Sequence, residues 1–212
     1  MLISSAKFKT VFRKIKQIEE HRNAYCLAPD RAKMSVEDLQ WCIEDMYNLK
    51  IEKKEVAFEG VFLSGMVERY EGSARILLRK DQPEDVLRFV TTKELCHLAI
   101  DEPEDWSPRG AETIDAYMNE LRLDLGGGPQ SDLAPDLAQS ERLAFLAAIE
   151  LMYPFMYRNL DAAQVKEGKT TLRAIAVHFH VPEFVVGQAL HARHLELAAR
   201  GWEMVADEPA VG

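Results

Sequence analysis

Residues 88–98 read Arg88-Phe89-Val90-Thr91-Thr92-Lys93-Glu94-Leu95-Cys96-His97-Leu98. Around them, Val86, Phe89, Val90, Leu95, Leu98 and Ala99 supply an apolar set at helical spacing, so the segment from Val86 to Ile100 is predicted to be a helix. Positions i and i+4 lie close together on one helix face, which places Lys93 and His97 side by side with Glu94 next to them.

Zinc hydrolases use such a helix in the pattern HExxH. Two histidines bind the ion and the glutamate between them polarises the attacking water. Here the glutamate is Glu94 and the second histidine is His97, but Lys93 stands in the first histidine's position.

Upstream, the chain breaks at Asp81-Gln82-Pro83-Glu84. Before the break lie short β-rich runs at Val56–Phe58, Val61–Leu63, Met66–Tyr70 and Ala74–Arg79, with Glu71-Gly72-Ser73 as a hairpin turn. Ser35, three residues before Asp38, opens a helix running to about residue 50. Phe8, Val11, Phe12, Ile15 and Ile18 mark an amphipathic first helix. Downstream, Asp101–Asp105 reads as a solvated acidic loop. A helix at 110–125 follows, then the break Gly126-Gly127-Gly128-Pro129, a helix at 136–153 ending at Pro154, and two or three helices over 170–200. Helices, a small sheet and then only helices make an α+β layout.

The 212 residues suit one domain, and 47% apolar residues suffice for a core. A net charge of −9 argues against a whole-protein grip on nucleic acid or an anionic membrane. Residues 1–23 depart from that balance: six Lys or Arg face two Glu. We read this basic stripe as the solvent face of a packed helix rather than as a nucleic-acid arm. The cysteines Cys26, Cys42 and Cys96 are odd in number and form no CxxC pair, which favours a reducing cytoplasm. No run of 18 apolar residues predicts a membrane span.

Four stretches in order resemble the ImmA/IrrE family of zincin-like metallopeptidases, the DUF955 domain. Ser64-Gly65-Met66 to Ile76-Leu77-Leu78 is similar to the family's hairpin, and Arg88-Phe89 to His97 to its active helix. Ser140-Glu141-Arg142-Leu143-Ala144 to Glu150-Leu151-Met152-Tyr153-Pro154 is similar to the helix of the third ligand. Ile175 to Pro182 is similar to the family's Leu-Ala-x-x-Phe-x-Val stretch. The resemblance implies an α+β zincin-like fold over residues 25–200, with a small twisted antiparallel-rich sheet on a mainly helical body. Residues 1–24 then form a basic amphipathic helix, 102–135 an insertion and 201–212 a tail. It also implies a bacterial or phage origin and, as partner or substrate, a helix-turn-helix repressor.

The departures from the family pattern bear on function. Lysine has a pKa near 10.4, so baring the Lys93 lone pair at neutral pH costs roughly 4–5 kcal/mol before a metal binds. The family's ligand glutamate falls on Leu143, and the nearest carboxylates on that helix are Glu141 and Glu150. Glu141 lies two residues from the family position, a step that turns it toward another helix face. We therefore expect a non-catalytic pseudo-peptidase that binds a protein or peptide and needs no cofactor. In that reading His97 and Glu141 (or Glu150) are vestigial ligands, and Lys93 points into the former metal position against Glu94, Glu141 or Glu150. The alternative is a zinc endopeptidase that cleaves a repressor, with Glu94 as general base and His97 and Glu141 or Glu150 as ligands.

Further expectations follow from the family architecture. Ala74–Arg79 should be an edge or near-edge strand, and Glu94 and His97 should face the 136–153 helix across a shallow cleft with the 110–125 helix beside it.

Three other features have plainer readings. Thr171–Leu190 has helix-turn-helix rhythm but offers no Lys or Arg over Glu183–Leu190, so a structural corner is favoured over a DNA-binding module. His178, His180, His191 and His194 read as surface histidines rather than a metal site, and Cys96 as a small packing residue rather than a nucleophile.

Overall fold

The computed structural model describes residues 5–25, 34–58, 64–102 and 135–208. The expected strand Val61–Leu63, the 110–125 helix and most of the 102–135 insertion lie outside them. The described residues form eight helices and three strands, the mixed α+β, mostly helical layout expected from the sequence.

Helix α1 (Ser5–Tyr25) buries Phe8, Val11, Phe12, Ile15 and Ile18, as its 3–4-residue period requires. Helix α2 (Val36–Tyr47) starts where Ser35 Oγ accepts the Asp38 N–H at 2.9 Å. It stops at Asn48, whose left-handed backbone (φ 49°) caps the end.

The sheet holds β1 (Lys50–Val56), β2 (Gly65–Tyr70) and β3 (Ser73–Arg79) in the order β1-β3-β2. Its β2–β3 ladder is antiparallel and its β1–β3 ladder parallel, so the sheet is not antiparallel-rich. The segment 74–79 is the central strand of three, next to an edge rather than at one, because β1 pairs along its far side. The sequence conceals β1: of its seven residues only Ile51 is buried, and Lys50, Glu52, Lys53, Lys54 and Glu55 are exposed. Such charges are how an edge strand resists pairing with other chains.

Burial alternates strictly along β3, with Ala74, Ile76 and Leu78 inside and Leu77 on the opposite face. On that outer face Arg75 bridges Glu52 of β1 (3.2 Å) and Glu68 of β2 (3.4 Å). Gly72 (φ +67°) makes the β2–β3 turn.

Helix α3 (Glu84–Ile100) lies between this sheet and α4 (Pro135–Met152), with α2 against it as well. From Phe89 to Ile100 only Lys93 escapes full burial, as expected of a helix covered on nearly every side. After Pro154 come α5 (Phe155–Lys166), α6 (Leu172–Phe179), α7 (Glu183–Ala189) and α8 (Ala192–Val205). Helix α8 runs through residues 201–205, which the sequence reading assigned to a tail, and the chain beyond it is tied to α1. Glu208 pairs with Lys9 (2.9 Å) and Arg13 (2.8 Å), while Lys16 donates to the Val205 and Glu208 carbonyls at 3.2 and 2.6 Å. Lys14 sits 5.0 Å from the centre of the Tyr47 ring. These basic side chains of α1 thus have partners within the molecule.

At the α1–α8 crossing, a Cβ built on Gly201 would stand 2.2 Å from the Phe12 ring. Phe12 is fully buried and also packs edge-on against Trp202 at 5.5 Å, so it has nowhere to move. Gly201→Ala should destabilise the fold by about 1–3 kcal/mol in urea unfolding. An unchanged midpoint would show that the two helices are not in this contact.

Candidate functional site

Where α3 meets α4, a polar cluster interrupts the apolar core. Lys93, Glu94 and His97 come from α3, Asp101 from its C-terminal cap, Ser140 and Glu141 from α4, and Arg69 from β2. Lys93 Nζ donates to Glu141 Oε2 at 2.7 Å and lies 2.9 Å from Glu94 Oε1. His97 Nε2 is 3.3 Å from Glu141 Oε1, and its Nδ1 is 2.9 Å from Asp101 Oδ2. Ser140 Oγ donates to Asp101 Oδ1 at 2.7 Å. Arg69 lies 3.6 Å from Asp101 Oδ2 and donates to the carbonyls of His97 and Leu98 at the end of α3.

The cluster is packed shut. The Lys93 side chain is 12% exposed, and those of Glu94, His97, Asp101 and Glu141 no more than 8%. The expected shallow cleft is therefore closed at these residues. Gly65 lets β2 approach so closely: a Cβ there would be 2.5 Å from Val90 Cγ1 and 3.0 Å from Glu94 Cγ.

Burial alone would lower the lysine's pKa, but the charges of Glu141 and Glu94 and the hydrogen bond to Glu141 outweigh it and hold the ammonium well above the ordinary lysine range. Burial likewise opposes a charged His97, yet Asp101 and Glu141 raise its pKa to about 10. Glu141 resists the upward push of burial because Lys93 and His97 hold it well below the usual carboxylate range. Three basic side chains, Lys93, His97 and Arg69, thus face three acidic ones, Glu94, Glu141 and Asp101. A protonated Lys93 is no nucleophile, and a Glu141 engaged on both oxygens is a poor base.

The sequence expectations meet this geometry unevenly. Glu94, His97 and Glu141 come together with Lys93 among them. Glu141 faces α3 although its register had turned it to another face, while Leu143, the family position, is buried in the core. Helix α4 is enclosed on nearly all sides over residues 140–152, so several of its faces meet protein. Glu150 is elsewhere: it accepts from Arg158 at 2.6 Å and from Trp202 Nε1 at 3.0 Å. Asp101, expected in solvent, closes the cluster, and its i+4 spacing from His97 was the available signal. Ser140 and Arg69 left no such signal.

The other candidates are accounted for by packing. Burial and the charge of Glu94 raise the Cys96 thiol, which leaves it inert. His178, His180 and His191 are exposed, whereas burial and Arg158 lower His194 to about 4. Ile175, Phe179, Val181, Val185 and Val186 of the 171–190 corner are buried in the core.

A catalytic zinc ion takes three protein ligands and an open position for water. In this cluster an ammonium lies between the two carboxylates, and one imidazole remains beside a carboxylate already engaged on both oxygens. Among the described residues no group of three or more His, Cys, Asp and Glu is arranged to hold a metal ion. The residues of the cluster do not fit a zinc centre. Nor, among the described residues, is any helix long and apolar enough to cross a membrane. Compared with known proteins, the chain matches no family model, no curated protein and no solved structure.

Proposed function

We propose that the protein is a non-catalytic, metal-free relative of the ImmA/IrrE peptidases that binds a protein or peptide segment in the cytoplasm. The single observation that carries this reading is the Lys93 ammonium, held between Glu94 and Glu141 beside His97. A cation tethered to the chain takes the place of one that would polarise a peptide bond, so recognition remains and hydrolysis does not. The strand suited to recognition is β2, which pairs among the described residues only with β3. Among the described residues its other edge is left to offer backbone N–H and C=O groups to an extended segment, and Gly65 brings the strand close to Glu94 of α3. A helix-turn-helix repressor is the partner class that the resemblance implies.

The test is metal content and proteolysis. Protein purified without chelators should carry well under one zinc per chain and leave a repressor-like substrate intact. Lys93→His, which restores two histidines one helical turn apart beside Glu141, should gain about one zinc per chain. Stoichiometric zinc in the unmodified protein, with cleavage abolished by Glu94→Gln, would establish the zinc endopeptidase instead.

A further inference from the structure

We propose that Glu19 is a titrating wedge: loss of its proton opens the seam between α1 and the body formed by α4, α5 and α8. Glu19 is half-buried on α1, and two cavities meet at it. One, of about 310 Å³, is lined on the far side by Trp202, Val205 and Ala206. The other, of about 430 Å³, is bounded by Leu151, Pro154, Met156 and Tyr157. Seams with space on both sides of a carboxyl can admit water without disturbing the core around them.

The charged neighbours give Glu19 little relief. On α1, Lys16 is spent on the Val205 and Glu208 carbonyls, Arg22 is 3.4 Å from Asp38, and Glu20 adds a like charge. On α4, Glu150 carries a further negative charge. The α5 cation Arg158 donates to Glu150 and to the Tyr153 carbonyl. Trp202 of α8 donates to Glu150 as well. Among the described residues Glu19 has no ion-pair partner.

Burial first, then the charge of Glu150, pushes Glu19 up to about 7 from the ordinary 4.5, and Arg22 offsets only part of this. The folded state therefore holds a proton that the unfolded chain releases at lower pH. Stability falls as pH rises from about 4.5 to about 7 and levels off above. Full expression of that shift raises the unfolding constant by roughly 300-fold.

Carbon-13 NMR of the glutamate carboxyls should show one group titrating near pH 7 that is missing in Glu19→Gln. Urea unfolding at pH 5 and pH 8 should give a smaller decline for Glu19→Gln than for the wild type, the difference isolating Glu19 from other groups. At pH 8, amides over residues 16–23 should exchange several-fold faster in the wild type than in Glu19→Gln. A Glu19 midpoint near 4–5, or equal declines and equal exchange in both proteins, would overturn the proposal.

Discussion

Lys93→Ala should lower the unfolding free energy by about 3–5 kcal/mol at pH 7, measured by urea denaturation. The change leaves Glu94 and Glu141 buried without the ammonium that now lies 2.9 and 2.7 Å from them. His97 remains beside Glu141 but already serves Asp101. Lys93→Met keeps most of the side-chain volume and should lose nearly as much, which separates charge from packing. Both variants should recover part of the loss at pH 5, because carboxylates deprived of their cation take up protons more readily. A loss below about 1 kcal/mol would mean that the ammonium works at a solvated surface, where ion pairs contribute little.

Arg158→Ala is the second large effect, again about 3–5 kcal/mol. Arg158 and Glu150 are both fully buried and 2.6 Å apart, and Arg158 Nε also donates to the Tyr153 carbonyl at 2.8 Å. Truncation strands the Glu150 charge with Trp202 as its remaining donor. The pair need not stabilise the fold relative to an apolar pair of similar shape. Glu150→Leu combined with Arg158→Met should therefore be more stable than Arg158→Ala alone. Additive losses in the double variant would show that desolvated charge is not the cause.

Much of this was legible in the sequence, for identifiable reasons. The stripe Phe8 to Ile18 announced α1, and Ser35 with Asp38 announced the start of α2, because periodicity and capping are local properties. The strict alternation of β3 follows from Ile76 and Leu78 flanking Leu77. Strand β1 could not be read this way, since its charged residues carry no apolar pattern and its pairing with β3 is non-local. At the cluster, Glu94 and His97 followed from helical spacing, and the pairing of Lys93 from the need of buried carboxylates for a cation. Which carboxylate of α4 would answer was not readable. Glu141 and Glu150 lie on one helix, and only the placement of α3, Arg158 and Trp202 assigns each its partner.

The closure of α1 on α8 bears on how the chain is made. Arg13 and Glu208 are separated by 195 positions, and the pocket for Phe12 includes Gly201 and Trp202. During synthesis from the N-terminus, α2, α3 and α4 become available to the first helix in turn, but the contacts of Phe12 with Gly201 and Trp202 wait until α8 has left the ribosome. Contacts of such long sequence separation are slow to form. The nascent protein thus passes through an interval in which the α8-facing side of Phe12 is open to chaperones, and closure of the two helices follows the synthesis of α8.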